Sequence, residues 1–161
     1  MISPQDLAEA FGLNLRVIKM QTADLSHQDT LLQPPFRGNC LNWVLGHIAA
    51  NRDKILAAFG EAGILNQAAA ERYGAGSKPV TGEEAGILRL EALLEILEKG
   101  QTAIADRLGE ATIEEMGRFI EVNGDTTTLG QHIFFLYFHD TYHTGPTELL
   151  RQLAGMNDQV I

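Results

Sequence analysis

Apolar side chains recur every three or four residues through four long stretches of this chain, and a period near 3.6 admits amphipathic helices and little else. In the first stretch Leu7, Phe11, Leu15, Ile18 and Leu25 mark one face. Ser3 is its cap, Pro4 suits the first helical position and Asp6 sits at the capping-box position, so the helix is expected from there to about Leu25. The second spans roughly 40–59 through Leu41, Val44, Leu45, Ile48, Ile55, Leu56 and Phe59, with Asn39 as cap and Gly60 as stop. The third, from Glu83 to about Leu108, carries Leu90, Leu93, Leu94, Leu97, Ile104 and Leu108 against a face of Glu and Lys. The fourth starts after Thr128 and runs through Leu129, Ile133, Leu136, Leu149, Leu150 and Leu153 to Gly155. Pro146 removes a backbone donor inside it and predicts a bend.

The connections are uneven. Pro34 and Pro35 forbid a continuous helix over 27–38. The stretch from Glu61 to Gly82 holds Gly63, Gly74, Gly76 and Pro79, and reads as a long loop with one short helical piece, Asn66 to Arg72. Loops of that length in compact domains often cover a site. Thr112 and Glu115 suggest another capped turn, and Arg118 to Asp125 is open between loop and a brief extended piece. With no convincing strand, the expectation is one all-α domain over residues 1–161, a four-helix bundle with long connections and a bent last helix.

Composition narrows the functional classes. Twelve Lys plus Arg face 21 Asp plus Glu, a formal net charge of -9 that repels a phosphate backbone, so nucleic acid is not an expected partner. The longest apolar run, Ile133 to Phe138, is far short of the roughly 20 residues of a membrane helix. The start MISPQDLAEAFG lacks a secretory pattern and Cys40 has no partner for a disulfide, which fits a reducing cytoplasm.

Five histidines carry the chemistry, at 27, 47, 132, 139 and 143. In His139-Asp-Thr-Tyr-His143 the two imidazoles are four apart, on one helix face with Cβ atoms roughly 5–6 Å apart, and can grip one metal ion. A third ligand must come from another helix, and His47, behind Leu41, Val44 and Leu45 on the apolar side of the second stretch, is the leading candidate. His27 lies in a polar segment and is expected to be solvated; His132, two turns before His139, sits on the same stripe about 10 Å down the axis. The competing reading makes His47, His139 and His143 ordinary hydrogen-bonded core residues. The metalloprotease pattern of two helical histidines enclosing a Glu is not met, because Asp140 stands where that Glu would be and no downstream ligand motif follows.

Asn39-Cys-Leu-Asn-Trp-Val-Leu-Gly-His-Ile-Ala-Ala50 and His139-Asp-Thr-Tyr-His-Thr-Gly-Pro-Thr-Glu-Leu-Leu-Arg-Gln-Leu-Ala-Gly155 resemble the DinB-like family, and the order and length of the helices extend the resemblance over nearly the whole chain. It implies a four-helix bundle, often a homodimer, with a three-histidine divalent-metal site matching His47, His139 and His143. It also implies a choice of chemistries, since members include S-transferases using low-molecular-weight thiols, a maleylpyruvate isomerase and a metal-binding domain of ergothioneine synthesis. Where many members carry Gly-Gln after the last histidine, this chain has Gly145-Pro146.

These readings combine into one expectation: a divalent ion such as Zn, Ni, Fe or Mn held by the three imidazoles, activating a small thiol or water for attack on an electrophilic small molecule. Asn51, one turn after His47, Asp140 and Glu148 are candidates to orient the ligands. Trp43 is a candidate pocket wall, and Cys40, two turns before His47, a candidate to approach it. Phe134, Phe135, Phe138 and Tyr142 are expected on the side of the last helix away from the histidines, as core or as a dimer interface. A metal- or ligand-binding bundle without turnover, and a purely structural bundle, are the alternatives.

Overall fold

A computed structural model describes residues 2–160. The chain is mainly helical with one small two-stranded sheet. Helix α1 (Pro4–Thr22) opens with the expected capping box between Ser3 and Asp6. It stops three residues before Leu25, because Thr22 turns its hydroxyl back to the Ile18 carbonyl and Asp24 takes a left-handed conformation, φ 63°.

Helix α2 (Leu41–Ala58) is capped by Cys40, one residue later than expected, without a side-chain bond. Every residue from Cys40 to Arg52 is buried. That is more than two partner helices can cover, and the remaining cover comes from the long connection that follows. Its polar atoms fasten along α2: Cys40 Sγ to the Val80 carbonyl, Asn42 Nδ2 to the Leu88 carbonyl, Trp43 Nε1 to Ser77 Oγ, and Asp53 accepting the amides of Ile64 and Leu65. Within this connection Asn66 caps the short helix α3 (Gln67–Arg72).

Helix α4 (Leu90–Glu110) starts seven residues later than Glu83. The amides that would begin an earlier helix are already taken, Leu88 N–H by the Tyr73 hydroxyl and Leu90 N–H by His27 Nδ1. Thr112 caps the single turn α5 (Ile113–Met116). The ambiguous stretch beyond it is a hairpin, β1 (Phe119–Val122) against β2 (Asp125–Thr128), so the expectation of no strand is corrected. Asn123 and Gly124 both have positive φ, the pair required by a two-residue type I′ turn. Thr128 and Gln131 form a capping box for α6 (Leu129–Thr144). The expected bend is a full break: α6 ends before Gly145-Pro146 and α7 (Thr147–Leu153) resumes after it. Proline offers no donor there, and the Thr147 hydroxyl satisfies the Thr144 carbonyl instead.

Helices α1 and α2 each pack against both α4 and α6. The interior divides into two apolar clusters, one around Ile18, Leu45, Ile48, Tyr73, Leu93 and Leu97, the other around Phe11, Ile55, Leu56, Ile104, Leu108 and Ile133. Between them lies a polar layer with one residue from each long helix. Arg52 of α2 donates to both carboxylate oxygens of Asp140 on α6, 2.8 and 3.3 Å, and to Gln101 of α4, 3.3 Å. Asn14 of α1 donates to Asp140 Oδ1 at 2.8 Å. Arg52 and Asp140 are 1% and 2% exposed, so the pair sits in a low dielectric and its remaining hydrogen-bonding atoms are matched by neighbours, Arg52 also reaching the Phe11 carbonyl. No helix is long and apolar enough to cross a membrane among the described residues.

Candidate metal centre

His47, His139 and His143 converge just beyond the polar layer. One ring nitrogen from each lies within 4.8 Å of the other two. The Nε2 atoms of His47 and His139 are 3.4 Å apart, close to the ~3.3 Å expected for two nitrogens that share a tetrahedral ion at 2.0–2.1 Å. His143 lies edge-on to His47, ring centroids 4.8 Å apart, and 4.5 Å from His139. The donor set is all imidazole, which suits Zn, Ni and Fe(II).

His47 is oriented from behind. Its Nδ1 donates to the Tyr73 carbonyl at 2.8 Å, which leaves Nε2 as the lone-pair nitrogen facing the other two rings. Tyr73 is itself fixed: its ring is fully buried, and its hydroxyl donates to Asn42 Oδ1 and accepts from Leu88 N–H. Gly46 permits this approach, because a Cβ there would stand 2.2 Å from the Tyr73 ring. Trp43 stacks on His47, centroids 4.5 Å apart and planes 15° apart, as the wall expected of it. Asn51 meets the site, its Nδ2 donating to the His47 carbonyl at 2.8 Å and lying 3.1 Å from His47 Nε2.

Burial lowers the pKa of all three histidines, His143 to about 4, with the neighbouring His139 and His47 adding to the effect on it. They are therefore neutral at pH 7, the state a metal ligand needs. His139 Nδ1 is buried without a hydrogen-bond partner, so its ring is set by packing and by the helix that carries it.

At 100° per residue on α6, Leu136, Asp140 and Ile133 point into the core, while Phe135, Tyr142, Phe138 and Phe134 point outward. His139 and His143 fall on the border, each half-buried. The expectation that the aromatics lie away from the histidines is corrected at two positions. Phe135 is beside His139, centroids 6.5 Å apart, and the Tyr142 ring stands edge-on to His143 at 5.2 Å. All four aromatics are exposed, so they are not core.

Other expectations change. Asp140 does not touch the rings, since both its oxygens are committed to Arg52 and Asn14, and Glu148 is exposed on α7. Cys40 is fully buried, donates to the Val80 carbonyl, and has its thiol pKa raised by that burial; it is a core residue. His27 is buried rather than solvated, because its Nε2 finds Glu83 at 3.1 Å and its Nδ1 accepts the Leu90 amide. His132 stays outside the cluster. Sequence reasoning missed Tyr73, Gly46 and Arg52. Tyr73 acts through a main-chain carbonyl, which no side-chain pattern announces, and Arg52 sits in the polar stretch Asn51-Arg-Asp-Lys54, where nothing in the sequence marks it as the buried charge.

Compared with models of known protein families and with curated proteins, the sequence matches none. In three dimensions the chain is similar to a conserved protein from Enterococcus faecalis of known crystal structure, with a TM-score of 0.75, 15% identity, and 96% of this chain aligned to 98% of that one. At that identity the likeness speaks for the fold alone.

Proposed function

We propose that this chain is a DinB-like four-helix bundle that holds a divalent metal ion at His47, His139 and His143 and uses it to activate a low-molecular-weight thiol, or water, toward an electrophilic small molecule. The reading is carried by one observation: three imidazoles, from two helices far apart in sequence, bring one nitrogen each within 4.8 Å of the other two. The oriented Nδ1 of His47 supports it, as does its all-nitrogen donor set. A dipositive ion held by three neutral ligands keeps its full charge and lowers the pKa of a thiol or water at the open position. The protein's own part is to hold His47 against the Tyr73 carbonyl, keep the rings neutral by burial, and shield one side with Trp43.

No carboxylate hydrogen-bonds any of the three rings among the described residues. That observation favours a second reading, a metal- or ligand-binding bundle with no turnover, because no side chain stands ready as a general base. The exposed stripe of Phe134, Phe135, Phe138 and Tyr142 supports a homodimer formed across α6. A mass by light scattering that stays at one chain across a wide concentration range would remove the dimer. The net charge supports small molecules over nucleic acid.

Elemental analysis of untagged protein, beside a His139→Ala/His143→Ala variant, tests the centre directly. Near-stoichiometric metal in the first and none in the second is the expected result, followed by thiol conjugation in the first alone. Equal metal in both, or none in either after adding Zn, Ni, Mn or Fe(II), removes the reading. Metal without conjugation or hydrolysis selects the binding module.

A further inference from the structure

Lys54 stands apart from the other charges near the centre. It follows His47 by seven residues, two helical turns, and so occupies the same stripe of α2. Its Nζ does not reach for a carboxylate, although the chain has 21 Asp and Glu; it bonds Asn51 Oδ1 at 2.9 Å, and the same amide lies 3.1 Å from His47 Nε2. The ammonium is thus two hydrogen bonds from the cluster, and no ion pair involves it among the described residues. The adjacent Asp53 is turned away, accepting the amides of Ile64 and Leu65.

Across from it is His132. On α6 this residue precedes His139 by seven positions, as Lys54 follows His47 by seven on α2. Arg118, before α6 begins, bonds the Ala58 carbonyl at the end of α2, so the two helices run in opposite directions and those offsets lead to the same level. Burial, and after it the positive charge of Lys54, lower the pKa of His132, which lies outside the three-ring cluster. The other strong cation nearby, Arg52, is consumed by Asp140. Lys54 is exposed and His132, His139 and His143 are half-exposed, so the lysine and the two rings of α6 face solvent beside the buried Asn51 and His47.

We propose that Lys54 is the anion-recognising residue of this centre, and that its small-molecule ligands carry a carboxylate-sized anionic group a few bonds from the atom that meets the metal. The inference rests on the metal reading above and names the substrate class for that site. In a chain of net charge -9, general attraction for anions is absent, and an unpaired lysine beside the cluster supplies it locally. Anion binding draws Nζ from the Asn51 carbonyl oxygen to the ligand, with His132 on the facing helix.

The test uses zinc-loaded protein and two thiols of equal length, 3-mercaptopropionate and 3-mercapto-1-propanol, with dissociation constants read by calorimetry. Zinc stoichiometry is measured first in wild type, Lys54→Met and Lys54→Arg, and is expected to be the same in all three. Wild type is expected to bind the acid roughly fivefold more tightly than the alcohol, the scale of one exposed charge pair. Lys54→Met is expected to bring the two within about twofold, Lys54→Arg to keep most of the preference, and added salt to compress it. Zinc bound normally with no preference in wild type, or with a preference that survives in Lys54→Met, overturns the role of Lys54 alone. Zinc that fails to bind wild type overturns the metal reading and this inference with it.

Discussion

His139 and Asp140 are adjacent in the chain and opposite in circumstance. Asp140 lies on the core side of α6, where Arg52 and Asn14 satisfy its oxygens. His139 lies on the border, its Nδ1 buried without a partner and its Nε2 facing another imidazole. A buried polar group with every bond made serves the fold, and one left short of partners is a candidate for an unfulfilled role. The contrast separates the residue that sets the rotation of α6 from the residue that rotation presents.

The largest effect should come from breaking the satisfied side. Asp140→Ala leaves Arg52 buried and unpaired, and is expected to cost about 3–5 kcal/mol in chemical denaturation. In the metal-free protein, His139→Ala should cost less, about 1 kcal/mol, since the ring is half-buried, its Nδ1 has no partner and its Nε2 meets only another imidazole. Equal losses in the two variants would erase the distinction.

Next in size is Gly46→Ala, which would force the Tyr73 ring aside. The expected cost is about 1–3 kcal/mol from overpacking, together with a roughly 10–100-fold weaker zinc affinity as His47 loses its oriented carbonyl. Zinc affinity unchanged in a destabilised Gly46→Ala protein would show that the Tyr73 contact plays no part in ligation.

Acid should affect the histidine side before the satisfied side. His47, His132, His139 and His143 all have pKa values below the ordinary 6.5 in the folded protein, through burial first. As pH falls below 6.5 the unfolded chain takes up protons that the folded one refuses, so stability is full above that value and declines toward about 4, where His143 titrates. The urea midpoint of metal-free protein against pH should show this slope, and His143→Gln should flatten it. A midpoint constant from pH 6.5 to 4.5 would contradict it.

The smallest effect is expected at Asn51. Asn51→Ala removes a contact beside His47 Nε2 and the tether of Lys54, and should change stability by about 1 kcal/mol. Nuclear magnetic resonance of the His47 ring should show a shifted Nε2 with Nδ1 still protonated. Loss of the Nδ1 proton would assign the tautomer to Asn51 and not to Tyr73.

Local periodicity determined the four long helices, the capping box at Ser3, the cap at Thr112, the interruption at Pro146 and the shared face of His139 and His143, because each depends on residues within two turns of one another. The hairpin was also within reach, through the single dipeptide Asn123-Gly124, but two strands of four residues, the second three-quarters Thr, carry too weak a pattern to outweigh a loop. Tertiary structure alone decided the rest. It delayed α4 to Leu90 by spending the Leu88 and Leu90 amides on Tyr73 and His27, and it buried His27, whose polar neighbours in sequence had suggested water. It also chose the partners of Asp140, which adjacency had offered to the histidines and which Arg52 claimed from 88 residues away. Such choices turn on which groups the packed helices bring together out of reach of water, and a buried charge takes the partner that compensates it best, wherever in the chain that partner lies.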